Sequence, residues 1–233
     1  MKINPLEICN LSRIPVKMID NPFYQLTKYI LRGKGEEKNK KFMEFLFHET
    51  DFSKKCKNTS LNELYGLGSE KFSAYNSSCI FHPWLHYSVL DPINTGIQDS
   101  FFNVFSNLDY FYLQYEKIID LISSFEKEGY RPDIYKTRQG GISGYILKNG
   151  KHKKFYVESG NHRCAVFSAM YENKLLPIVF EERNFAKARD LVNRREDFLQ
   201  VYDVKEIKNW PALKSGFLTE NIALKIINIY LGI

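Results

Sequence analysis

One short stretch, Tyr156-Val157-Glu158-Ser159-Gly160-Asn161-His162-Arg163, constrains the fold more than any other part of the chain. An aromatic and β-branched run ends there at Gly160. An Asn-His-Arg triplet then opens a helix, expected over 164–171 and closed at Asn173. Leu176-Pro177-Ile178-Val179-Phe180 reads as a second buried strand. A strand, a glycine turn and a helix start together aim backbone N–H groups at an anion. The positive end of a helix dipole favours Asp or Glu in the first turn, yet here it meets His162 and Arg163. Each such cation costs from a few tenths to about 1 kcal/mol unless an anion sits between them. A phosphate site is the expectation.

Immediately upstream, 142–147 and 154–158 form an expected β-hairpin around Asn149-Gly150. That dipeptide suits a type I′ turn, whose two central residues both take positive φ. Before it, Ile118, Leu121, Ile122 and Phe125 follow helical spacing within an amphipathic helix over 112–127, stopped by Gly129. The N-terminal part reads as mixed helix and loop. Asn21-Pro22 starts a helix that runs to Arg32, with Gly33 past its end. A second helix is expected over 41–49, and Ser60 with Glu63 resembles a capping box. The mixed-sign run 38–41 behind Glu36-Glu37 reads as a solvated loop, and turn formers interrupt 71–109. Downstream, 184–195 looks helical, Trp210-Pro211 lies in a connection, and Thr219 caps a last helix to Leu231.

The net charge of +6 comes from 33 basic and 27 acidic residues. It permits anionic ligands, but with no dominant basic stripe nucleic acid is not an expected partner. The four cysteines lie far apart without metal-ligand spacing, so reduced thiols in a cytoplasmic protein are expected. No stretch approaches the roughly 18 apolar residues of a spanning helix, and the N-terminus has no apolar h-region. Neither membrane spanning nor export is expected.

Gly144-Tyr145-Ile146-Leu147, the run from Phe155 through Arg163, Ala165 and Leu176-Pro177-Ile178-Val179 resemble the ParB/sulfiredoxin superfamily over 129–182. Its signature is a strand, G-x-x-R, a small-residue helix and a further strand. His82-Pro83-Trp84 and the Gly-Asn-His-Arg box look like those of ParB-like members. The resemblance implies an α/β (α+β) fold, a small mixed sheet with flanking helices. Residues 1–110 would form a mainly helical extension and 111–233 the nucleotide-binding domain. It also implies a nucleoside triphosphate, ATP or CTP with Mg²⁺, held by the box. The expected activity is phosphotransfer to a hydroxyl of a small metabolite or sugar. The alternative is a nucleotide-gated binding module, non-catalytic or hydrolysing CTP or ATP, as in partition proteins. Asn161 stands where sulfiredoxins carry Cys, so peroxiredoxin repair is not expected, and no helix-turn-helix follows the box. A nuclease is disfavoured by the modest charge and the lack of a carboxylate cluster for two metals.

Arg163 is the leading phosphate ligand because its guanidinium fork makes bidentate contacts. His162 is a candidate for donating to a phosphate oxygen or for acid–base transfer. Gly160 allows close backbone approach, and Asn161 is the natural N-cap, with Ser159 just before the turn. Glu158 could hold Mg²⁺ or activate the acceptor hydroxyl; the alternative is an edge carboxylate paired with His162 or Arg163. Arg138-Gln139-Gly140-Gly141 is a second loop able to wrap a phosphate or acceptor, or an ordinary turn. His82, Trp84 and His86 become an acceptor wall only through the resemblance; aromatic loops usually pack a core edge. Arg194 and Arg195 are placed to reach phosphates or simply to end a helix.

Overall fold

The computed structural model describes residues 2–3, 17–50, 108–131, 142–172, 174–177, 201–216 and 218–233. At its centre is the hairpin of β2 (Ser143–Asn149) and β3 (His152–Ser159). Asn149 faces His152, so the two-residue loop is Gly150-Lys151, one position later than Asn149-Gly150. Side-chain pairing explains the shift. The observed register sets Tyr145 opposite Tyr156 and Ile146 opposite Phe155. A turn at Asn149-Gly150 would have put the buried Tyr145 opposite Lys154. Cross-strand aromatic contact outweighs the local turn preference, and Gly150, at φ 57°, takes the first loop position. Asn149 then uses its side-chain amide to donate to Asn228 Oδ1 at 2.9 Å.

A third strand, β5 (Val201–Asp203), pairs in parallel with β2, giving a mixed sheet of order β3-β2-β5. Lys148 ties this edge by an ion pair with Asp203 at 2.7 Å. The sheet is buried on both faces. Tyr145, Leu147 and Tyr156 pack with Ile207, Trp210 and the helix from Glu220 to Leu231. Phe155 and Val157 face the other way, into a core shared with the remaining helices.

Those helices are α1 (Pro22–Ile30), α2 (Glu36–His48), α3 (Leu108–Glu128) and α4 (Asn161–Met170). Asn21 caps α1 by accepting from Phe23 N–H at 2.9 Å, with Pro22 at the first helical position, as the sequence implied. α2 begins five residues before the expected start, taking in the run read as a solvated loop. Glu36–Lys40 and Glu37–Lys41 pair one turn apart there, in the favourable order along the helix. Asn39, Met43, Leu46 and Phe47 give the same helix a buried stripe. α3 starts four residues early and ends as expected, with the Gly129 N–H on Phe125 O at 2.9 Å. α4 has Cys164, Ala165 and Val166 all fully enclosed, which makes it the central helix of this half. Residues from both sides of position 110 share the core.

Leu176–Pro177 forms β4, but it pairs with β1 (Lys2–Ile3), not with the hairpin sheet. Pro177 lacks an N–H and suits such a short edge pairing. Residues 178–180, the rest of that expected strand, lie outside the described residues, as do Ser60, Glu63, 71–107 and 184–195. Near the C-terminus, buried Trp210 precedes the short α5 (Pro211–Lys214). α6 (Glu220–Leu231) is capped by the Thr219 hydroxyl, which accepts from Ile222 N–H, and closed by Gly232 at φ 73°. No helix among the described residues is long and apolar enough to cross a membrane.

Gly144 is the tightest backbone contact in the sheet, since a Cβ there would lie 1.9 Å from Tyr156 O. Gly144→Ala should therefore force the strands apart and cost about 2 kcal/mol or more, read as a lower urea midpoint. A midpoint equal to wild type would mean the strands do not meet in this register.

Candidate functional site

The site is built where β3 hands over to α4. Ser143 pairs with Ser159 while Gly144 pairs with Val157, which leaves Glu158 as the extra residue of a β-bulge. Gly160 follows at φ 86°, ψ 26°, a left-handed conformation that reverses the chain from strand to helix in one step. A side chain there would cost about 1–2 kcal/mol. Gly160, not Asn161, is thus the N-cap. The left-handed turn moves the helix start forward, and Asn161 becomes its first residue. Cys164 N–H closes the first intrahelical bond on Gly160 O at 2.9 Å. Gly160 has no side chain with which to cap the donors ahead of it, and the first turn contains no acidic residue. Asn161 Oδ1 is buried and finds no hydrogen-bond partner among the described residues.

His162 behaves differently from a surface cation. Its ring lies against Phe23 of α1, with centroids 4.3 Å apart and planes tilted by 44°. Burial, then Lys117, then Arg163 push its pKa from 6.5 down to about 4. At pH 7 about one molecule in a thousand carries that proton. The expected pair of cations at the helix tip is therefore one full cation, half-buried Arg163, beside a neutral imidazole. The physical reason is tertiary: Phe23 removes water from the ring, and two cations oppose its charging. A pKa so far below neutrality also makes His162 a weak base, which removes it from acid–base transfer. Its Nε2 is enclosed without a partner among the described residues and remains available for a ligand hydrogen bond.

α1 is held onto α4 at the far end as well. Tyr24 donates its hydroxyl to Glu172 Oε1 at 2.6 Å, and Lys28 reaches the same oxygen at 3.1 Å. Burial and that bond push the Tyr24 hydroxyl up to about 12. Phe23 and Lys117 were not legible as site residues. Phe23 stands at an ordinary position in the first turn of α1, and Lys117 on the polar side of α3. Only packing brings their effects to His162.

The structure thus unites Gly160, Asn161, His162 and Arg163 in one turn, and it places the backbone of Glu158 and Ser159 at the adjoining strand end. The side chains of Glu158 and Ser159 lie outside the described residues. So do His82, Trp84, His86, Arg138, Gln139, Gly140, Gly141, Arg194 and Arg195. Among the described residues no three His, Cys, Asp or Glu side chains gather as a metal-holding group. No family model, curated protein or solved structure matches the chain.

The buried imidazole sets an acid limit on stability. The unfolded chain takes up this proton near 6.5 and the folded protein only near 4. Stability from this group is therefore complete above pH 6.5 and is lost as pH falls towards 4, by roughly 3 kcal/mol. Urea midpoints between pH 7 and 4 should fall more steeply for wild type than for His162→Gln. Equal slopes would mean that the ring titrates as if in water.

Proposed function

We propose that the 160–163 turn holds the phosphates of a nucleoside triphosphate, ATP or CTP with Mg²⁺, and that the protein is a phosphotransferase. The acceptor is a hydroxyl of a small metabolite or sugar. The observation that carries this reading is the turn itself: a left-handed glycine, a ten-residue helix with no acid in its first turn, and Arg163 within that turn. Helix N–H groups and the dipole favour phosphate there, and Arg163 supplies the bidentate charge. Asn161 Oδ1, a buried acceptor without a partner among the described residues, fits a donor on the same ligand, such as a hydroxyl or amino group. The likeness of the box to the ParB/sulfiredoxin superfamily supports the same ligand.

His162 serves this reading as a neutral hydrogen-bonding group, and Arg163 bears the charge neutralisation. Mg²⁺ ordinarily takes only one or two protein carboxylates beside the phosphates, and Glu158 is the nearest in sequence. Bound nucleotide supplies the phosphoryl group. The chain's own residues orient the phosphates, and Glu158 is assigned to the metal or to the acceptor proton. Arg138, Gln139, Gly140, Gly141, His82 and Trp84 remain the candidates for nucleotide and acceptor contacts.

A second reading is favoured by the Phe23–His162 contact. A ligand at the tip touches a ring stacked on α1, so binding is transmitted to another helix. A nucleotide-gated binding module would use that linkage to change a protein interface without transferring phosphate.

Incubation with ATP, Mg²⁺ and a panel of hydroxyl acceptors should yield acceptor-dependent ADP, and Arg163→Ala should lower turnover by about 10²-fold or more. Full turnover in Arg163→Ala would falsify the phosphotransferase. A nucleotide-dependent change in oligomeric state without acceptor-dependent ADP would support the gated module instead.

A further inference from the structure

α3 and α4 lie side by side within one core, and their C-terminal ends are pinned together. The Tyr171 hydroxyl donates to Phe125 O at 3.0 Å, the Phe125 and Tyr171 rings sit 6.4 Å apart, and Tyr130 meets Phe167 edge-on at 5.3 Å. Ile118 and Ile122 of α3 enter the same cluster as Cys164, Ala165 and Phe167 of α4. Eight residues back along α3 from Phe125 is Lys117, about 12 Å away; nine back along α4 from Tyr171 is His162, about 13 Å away. Parallel helices pinned at one end therefore bring Lys117 alongside the start of α4. The suppressed charging of His162, to which Lys117 contributes, is consistent with that placement.

Lys117 is exposed, between buried Tyr115 and Ile118. Glu116 is adjacent and Asp120 lies one turn on, yet Lys117 forms no ion pair with a described carboxylate. Its ammonium is held near another cation and a positive helix end, not drawn to the acids on its own helix.

We infer that Lys117 is a second cation of the phosphate site, reaching from α3 to the start of α4 so that it and Arg163 share one phosphate-bearing ligand. This rests on the phosphate reading of the 160–163 turn. Two full positive charges and the helix end call for a ligand with at least two negative charges, a phosphate monoester or polyphosphate, over a monocarboxylate. A neutral His162 keeps a third positive charge out of the empty site.

Two measurements test the inference. Binding of ATP, CTP and inorganic tripolyphosphate, each with Mg²⁺, is compared by thermal shift and titration for wild type, Lys117→Gln, Lys117→Arg and Arg163→Lys. The imidazole pKa of His162 is followed by NMR in wild type and Lys117→Gln without ligand. The expected result is affinity at least tenfold weaker in Lys117→Gln, largely restored in Lys117→Arg, with the His162 pKa higher in Lys117→Gln. Since Lys117 is exposed, neither substitution threatens the core. If wild type binds a probe, while Lys117→Gln binds it equally and leaves His162 unmoved, Lys117 is no ligand and the phosphate reading stands. If wild type binds none of the three, the phosphate reading falls and this inference with it, whatever His162 does.

Discussion

The architecture depends on the pairing of aromatic side chains across a hairpin that is buried on both faces. Tyr145 and Tyr156 stack with centroids 5.4 Å apart and planes within 18°, and Tyr156 meets Tyr230 of α6 at 5.1 Å. Their strand neighbours Phe155 and Val157 point the opposite way, towards α4. A slip of one residue would exchange the two faces and expose both sets at once. This register also places the bulge at Glu158 and the left-handed Gly160 beyond it. The candidate site inherits its geometry from the sheet.

The helix start that follows holds less charge than its composition implies. Two basic-type residues stand in the first turn, but one is sealed against Phe23 and neutral, so the local field is set by Arg163, the helix end and the approach of Lys117. A site of this kind is preorganised. Its imidazole is fixed by an aromatic ring, its glycine by the backbone reversal, and α1 is held at the far end by the Tyr24–Glu172–Lys28 cluster. Such rigidity suits recognition of a polyanion, where donors fixed in place avoid the loss of freedom that a flexible loop would suffer.

Local signals were legible where the chain satisfies its own backbone. Asn21-Pro22 starts α1, Thr219 and Gly232 bound α6, and Gly129 ends α3, because caps and left-handed glycines depend on a few neighbouring residues. α2 was begun too late because i,i+4 pairs turn a mixed-sign run into a helix face, and charge alone does not reveal that pairing. The hairpin turn was placed one position early for a related reason: Asn-Gly is a strong local preference, but the aromatic pairs four positions away outweigh it. β4 was assigned to a strand that would follow α4 back to the sheet, whereas it meets β1, from the opposite end of the chain.

The sequence by itself determined a mixed α/β chain with a hairpin, a glycine reversal and a helix whose first turn carries Asn161, His162 and Arg163. Propensity, alternation and capping act over a few residues and are written there directly. Tertiary structure alone decided that His162 is neutral and that Phe23 and Lys117 belong to its surroundings. Proton affinity depends on desolvation and on charges brought close by packing, and residues 139 and 45 positions away leave no local trace of either.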